Sequence, residues 1–107
     1  MRRYEIRLPL RFNDGTPVPD ELVGGVIVSL RDQFGAASFE TQTIRGVWQH
    51  EGQAYKDDLV RLFADVPDTP ANRAWFVEFK ERLKRDFQQL DIWMITHPIE
   101  VLYPRVG

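Results

Sequence analysis

The segment from Thr41 to Val66 constrains the fold most, because it reads as two strands joined by a tight turn. Two runs rich in β-branched and aromatic residues enclose a short polar segment, His50-Glu51-Gly52-Gln53, with a single glycine. This pattern is typical of a β-hairpin. On each side of the hairpin lies one strand-like run and one amphipathic helical run, so the chain is arranged symmetrically about it.

The first strand-like run covers residues 3–12 and alternates strictly in polarity, which predicts a half-buried strand. One face carries Tyr4, Ile6, Leu8, Leu10 and Phe12, and the other carries Arg3, Glu5, Arg7, Pro9 and Arg11. Because proline has no N–H to donate to a neighbouring strand, a bulge or a break is expected near Pro9 if this strand is central.

The first helix is predicted over Asp20 to Phe34, followed by Gly35 as a residue that ends helices. Its interior contains Gly24 and Gly25, each of which costs ~1 kcal/mol relative to alanine. Close packing of the helix on the sheet is the expected reason for them. A second amphipathic helix begins at Pro70, and a last strand-like run covers residues 92–103.

The element order strand, helix, strand, strand, helix, strand predicts an α+β protein with a ferredoxin-like βαββαβ sandwich. Its four-stranded antiparallel sheet has the order 4-1-3-2, and both helices cover one face of a single domain, residues 1–107. The run from Gly46-Val47-Trp48 through Gly52 to Tyr55 resembles small bacterial proteins of this plan with no established activity. The resemblance implies a fold and no function.

Composition excludes several function classes. The 107 residues include no cysteine, which removes disulfides, thiolate metal sites and thiol catalysis. The net charge of −2 gives no strong attraction to nucleic acid or to an anionic membrane. No apolar run approaches the ~20 residues of a membrane span, and the first residues are charged where a signal peptide requires apolar ones. A soluble cytoplasmic protein is therefore expected.

With both helices on one face, the opposite face of the sheet, called here the open face, is left for solvent or a partner. The predicted strands place on it a set of arginines, aromatic residues and one histidine: Arg3, Arg7, Arg11, Leu59, Arg61, Phe63, Trp93 or Met94, and His97. A large apolar and aromatic patch on a sheet is typical of an interaction surface. The leading hypothesis is a binding or regulatory module that self-associates, as a homodimer or larger homo-oligomer, through this face or a strand edge.

Two alternatives use the same surface. The first is a cofactor-free enzyme of the dimeric α+β barrel type, with a cavity between the sheet and its partner. The second is an RNA-binding platform of arginines and aromatic residues, which the net charge and the lack of an outward aromatic residue on strand one disfavour.

No cofactor and no metal are predicted. The topology brings Asp14, His50, Glu51 and Asp91 toward one end of the sheet, where they are candidate ligands of a divalent cation. Polar residues are common in loops at sheet ends, so solvent-exposed side chains are the preferred interpretation of this group.

Overall fold

The computed structural model describes residues 1–39 and 44–102, and for residues 39, 44–50 and 53–57 it describes the backbone alone. Over these residues the chain is a small α+β protein with two helices and an antiparallel sheet. The elements in chain order are β1 (Arg2–Pro9), α1 (Asp20–Phe34), β2 (Ser38–Phe39), β3 (Ile44–His50), β4 (Gln53–Val66), α2 (Pro70–Asp86) and β5 (Trp93–Pro98).

The sheet has five strands in this part of the chain, where the sequence predicts four. Neighbouring strands follow the order β2-β4-β1-β5, every pair is antiparallel, and β3 also pairs with β4. β2 is a short strand that precedes the predicted hairpin; it ends opposite Leu62 of β4, and β3 begins opposite Leu59. Residues 40–43, which connect the two segments, lie outside the described residues.

The hairpin predicted from the polar segment is formed by β3 and β4. His50 pairs with Gln53, and the two residues between them both have positive φ, 52° for Glu51 and 77° for Gly52. Two consecutive positive φ angles define the turn whose twist matches that of antiparallel strands. Glycine adopts this conformation readily, and the flanking strands keep Glu51 in it as well.

Both helices pack on the same face of the sheet. The buried core joins residues from β1 and β4 to residues from both helices: Tyr4, Ile6, Leu8, Leu62, Ala64, Val66, Val26, Leu30, Phe76, Phe79, Leu83 and Phe87. The ring of Phe76 in α2 stacks on Tyr4 of the sheet and on Phe34 of α1, so it joins both helices to the sheet directly. Neither of the two helices in the described residues has the length and apolar character of a membrane span.

The ends of the outer strands differ from the prediction. β1 ends at Pro9, where a break is expected, so it does not reach residue 12. Arg11 instead forms an isolated bridge with Pro17. β5 covers six residues, Trp93–Pro98, rather than residues 92–103, of which residue 103 lies outside the described part.

The predicted reason for the glycine pair in α1 is wrong. A Cβ atom built on Gly24 or on Gly25 would meet no described atom within 4 Å outside its chain neighbours and the surrounding helix backbone, so neither glycine is required by close packing on the sheet. Gly35 has a different role, because its φ of 80° is the left-handed conformation that ends the helix.

We expect the substitution Gly25→Ala to raise the free energy of unfolding by ~1 kcal/mol, because alanine favours the helix and the site has room for its methyl group. Urea denaturation followed by circular dichroism measures the change. Gly35→Ala is the matched control at the end of the same helix, and it should be destabilising because its φ is positive. A destabilised Gly25→Ala variant would show that this position contacts something beyond the described residues.

Candidate functional site

The open face is organised in cross-strand rows that the register defines. In the first row His97 of β5, Arg3 of β1 and Asp65 of β4 lie side by side. The second row consists of Ile95, Glu5, Phe63 and Ser38, and the third consists of Trp93, Arg7 and Arg61. The core residues Tyr4, Ile6 and Leu8 alternate with these positions and point to the helices. The face opposite the helices therefore carries the charged residues.

Arg3 is held by a two-pronged contact with Asp65. Its Nε and Nη2 atoms donate hydrogen bonds to the two carboxylate oxygens at 2.7 and 2.9 Å. This hydrogen bonding lowers the pKa of Asp65, with smaller contributions from the charges of Arg3 and His97, and it outweighs the opposing effect of burial. The charge of Arg3 is therefore largely balanced within the face.

Glu5 is the buried charge at the centre of the open face. Its side chain is 5% exposed, although it lies on the side of the sheet away from the helices. Arg61 Nε donates to Glu5 Oε1, and Arg7 Nε lies 3.5 Å from Glu5 Oε2. A carboxylate this well buried requires such partners, because removing a charge from water is costly unless it is paired.

Aromatic rings lie directly against the guanidinium groups. The guanidinium carbon of Arg3 is 4.4 Å from the centroid of the Phe63 ring, and that of Arg61 is 5.4 Å from it. The guanidinium carbon of Arg7 is 5.7 Å from the centroid of Trp93, whose side chain reaches into solvent with 57% of its surface exposed. These distances are within the range of cation–π attraction. The face thus combines planar cations with flat apolar surfaces.

Most of the residues predicted for the open face lie on it. The register places Arg3, Arg7, Leu59, Arg61, Phe63, Trp93 and His97 there. Met94 is the exception between the two alternatives for strand four, because it pairs with Ile6 and packs against the core. Arg11 lies beyond the end of β1 and donates to the carbonyl oxygen of Gly15 at 3.1 Å.

Among the described residues, the rows of this face also contain Glu5, Asp65, Ile95 and Ser38, which are not in the predicted set. The same alternation that selects Arg3 and Arg7 also selects Glu5, so the signal is present in the sequence. Alternation does not predict the register of the strands, and it is the register that brings Glu5 and Arg61 together from positions 56 residues apart.

The candidate metal residues do not form a cluster in the described residues, where no group of three or more potential ligands is found. Asp14 accepts hydrogen bonds from the backbone and hydroxyl of Thr16, and Asp91 pairs with Lys80 at 3.1 Å. Glu51 lies in the turn at the tip of the hairpin. The backbone of His50 lies beside that turn, and its side chain is outside the described part.

A surface groove lies elsewhere, along α2. Its lining residues all belong to that helix: Trp75, Val77, Glu78, Phe79, Glu81, Arg82 and Arg85. One of its cations already interacts within the helix, since Arg82 lies over the ring of Phe79 and pairs with Asp86. The groove does not connect with the rows of the open face, whose residues belong to β1, β4 and β5.

The fold has relatives among solved structures. A phage SAM lyase in complex with S-methyl-5'-thioadenosine superposes with a TM-score of 0.62 at 20% identity, covering 90% of this chain and 89% of that one. The divalent cation tolerance protein CutA1 of Thermus thermophilus gives a TM-score of 0.65 at 15% identity, covering 96% and 88%. A mutant of CutA1 from Pyrococcus horikoshii gives 0.62 at 17% identity, covering 96% and 87%.

No family model matches the sequence, and the search of curated proteins returns no match. At identities of 15 to 20%, the likeness to the lyase and to CutA1 concerns the fold alone. No activity is transferred from them.

Proposed function

We propose that residues 1–107 form a single ferredoxin-like domain, a cytoplasmic binding module that self-associates through the edge of its hairpin and binds a ligand or partner on the open face. One observation carries the proposal: the hairpin extends beyond the rest of the sheet. In β4, the segment Gln53–Asp57 pairs with β3 and with no other strand in the described residues, whereas β1 pairs with β4 only from Leu59 onward.

A two-stranded ribbon of this kind is marginally stable by itself in water. Its length of five residue pairs corresponds to roughly 17 Å at the rise per residue of an antiparallel strand. The N–H and C=O groups along its two edges have no strand partner among the residues described. Unpaired edges of this length favour the addition of a further strand, and a second copy of the chain supplies one with the same geometry.

The open face supports the binding part of the proposal. Trp93 and Ile95 are exposed beside the half-buried Phe63 and Leu59, so apolar surface is accessible next to the guanidinium groups. Binding of nucleic acid is disfavoured, because Arg3 and Arg61 each donate to a carboxylate of the same face rather than projecting free charges. A small ligand or a protein surface fits this balance better.

The self-association is tested by sedimentation velocity and light scattering over a range of protein concentrations, with a shortened hairpin as the decisive variant. Deleting the cross-strand pairs Val47–Lys56 and Trp48–Tyr55 removes two residues from each strand, so the remaining pairs keep their faces and the turn is preserved. We expect the parent chain to form a dimer or larger oligomer and the shortened chain to be a monomer.

The control variant is Ile95→Arg, which adds a charge to the exposed part of the open face and leaves the hairpin intact. It should associate like the parent chain. Dissociation of Ile95→Arg together with association of the shortened chain would place the contact on the open face instead. A parent chain that stays monomeric at every concentration would refute self-association altogether.

A further inference from the structure

Arg7 occupies an unusual position on the open face. It lies in the central strand between Trp93 and Arg61, and its Nε atom is buried without a hydrogen-bond partner among the described residues. Its ion-pair partner, the Oε2 atom of Glu5, is 3.5 Å away. A guanidinium group carries five N–H donors, and the one on Nε is left without a hydrogen-bond acceptor among the described residues.

Two other arginines of the face, Arg3 and Arg61, each donate a hydrogen bond from Nε to a carboxylate. Arg3 donates twice to Asp65, and Arg61 donates to Oε1 of Glu5. The single charge of Glu5 is therefore shared between Arg61 and Arg7, with the hydrogen bond made to Arg61. Within the described part of this face, Arg7 is left without a hydrogen bond from Nε to a carboxylate, while 35% of its side chain is accessible from outside.

The neighbour of Arg7 on the outer strand is a flat ring. Trp93 lies next to it in the register, with 57% of its surface exposed and its ring centroid 5.7 Å from the guanidinium carbon. Planar guanidinium groups bind the two oxygens of a carboxylate or phosphate side by side, and exposed indole rings stack on other flat rings. The two side chains thus offer complementary contacts to one ligand.

We infer that Arg7 and Trp93 form a binding site for a small molecule that carries a carboxylate or phosphate group next to a planar ring. The oxyanion accepts hydrogen bonds from Arg7. It also balances the part of the positive charge of Arg7 that Glu5, shared with Arg61, leaves unneutralised, and the ring stacks on Trp93. The inference rests on the proposed role of the open face as a binding surface, and it is independent of the hairpin contact between copies.

The experiment observes the Nε–H group of Arg7 by NMR of the full chain during titration with four probes. Adenosine monophosphate and benzoate each combine a ring with an oxyanion, adenosine has the ring alone, and inorganic phosphate has the anion alone. We expect the first or the second probe to shift the Arg7 signal at concentrations where adenosine and phosphate leave it unchanged. Phenyl phosphate, which carries the same ring as benzoate, is then compared with benzoate, and the tighter binder identifies phosphate or carboxylate as the preferred group.

Variants assign the effect to these side chains. Arg7→Gln should weaken binding about tenfold or more, because a charge-assisted hydrogen bond is lost. Arg7→Lys should weaken it less, since the charge remains without the planar group. Trp93→Leu should cost about tenfold through the lost stacking. Arg11→Gln is the control, an exposed arginine beyond the end of β1, and it should bind like the parent chain.

Three outcomes would overturn the inference. The first is the absence of any shift at Arg7 with both ring-bearing anions. The second is equal binding of phosphate and adenosine monophosphate, which would remove the ring from the recognition. The third is an Arg7 signal that changes with protein concentration rather than with the probes, which would assign its anion to another copy of the chain. The oligomer measurements are unaffected by these results, so failure of this site and failure of self-association are distinguishable.

Discussion

Replacing Phe76 with alanine is expected to lower the free energy of unfolding by ~3–5 kcal/mol, because its ring joins both helices to the sheet. Phe76 is 1% exposed and lies at the junction of both helices with the sheet. Its ring stacks on Tyr4 with centroids 3.9 Å apart and on Phe34 at 5.1 Å, and Trp75 meets it edge-on at 5.0 Å. Alanine would remove all three ring contacts and leave a cavity between the helices and the sheet that their movement cannot fill completely.

Urea denaturation monitored by circular dichroism measures this loss. Val77→Ala provides the matched control, because Val77 follows in the same helix but is 61% exposed. It should change stability by no more than ~0.5 kcal/mol, as expected for a surface position. Similar losses at Phe76 and Val77 would mean that α2 does not contact the sheet through the face described.

The ends of the helices and the buried face of β1 could be predicted from the sequence, because the signals for them lie within each element. The apolar spacing of α1 and its terminal Gly35 define the observed helix, Asp20–Phe34. At α2, the hydroxyl of Thr69 accepts a hydrogen bond from the backbone N–H of Asn72, as its position before Pro70 indicates. Strict alternation in β1 likewise assigns Tyr4, Ile6 and Leu8 to the core.

The short strand β2 could not be predicted, because its pairing with β4 joins residues that are distant in the sequence. Nothing in the composition of residues 38–50 indicates that β2 stops opposite Leu62 and β3 starts opposite Leu59. The glycine pair in α1 illustrates a second limit. Sequence spacing shows that Gly24 and Gly25 are in a helix, but the empty space beside them is a property of the packed structure.

The face of the sheet on which the strand residues lie could be predicted, but the contacts between their side chains could not. Alternation in β1 and β4 places Arg3, Arg7, Arg61 and Phe63 on one face, and the register confirms that placement. The face assignment does not reveal which cation meets which anion. That Arg3 is paired with an acid directly across the strands, while Arg7 is left beside a shared carboxylate, follows only from the register and the side-chain geometry.

Removing the charge of Glu5 by the substitution Glu5→Gln is expected to lower the free energy of unfolding by ~1–3 kcal/mol. Breaking a fully buried ion pair costs ~3–5 kcal/mol, and the smaller value applies here because solvent screens the two arginines. The side chains of Arg7 and Arg61 are 35% and 28% exposed, whereas that of Glu5 is 5% exposed. Glutamine keeps the shape of the side chain, so the loss measures its charge rather than its packing.

A double-mutant comparison separates this pairing from a general effect on the sheet. In an Arg61→Gln background the loss on Glu5→Gln should shrink, because one of the partners is already gone. In an Arg3→Gln background it should persist nearly in full, since Arg3 is hydrogen-bonded to Asp65 and not to Glu5.

Asp68→Asn, which removes the charge of the half-exposed partner of Arg2, should lower the free energy of unfolding by less than ~1 kcal/mol. An equally small loss for Glu5→Gln and Asp68→Asn would mean that the carboxylate of Glu5 is hydrated in solution. In that case Glu5 would not divide its charge between Arg61 and Arg7, and the reason for expecting Arg7 to bind an anionic ligand would be removed.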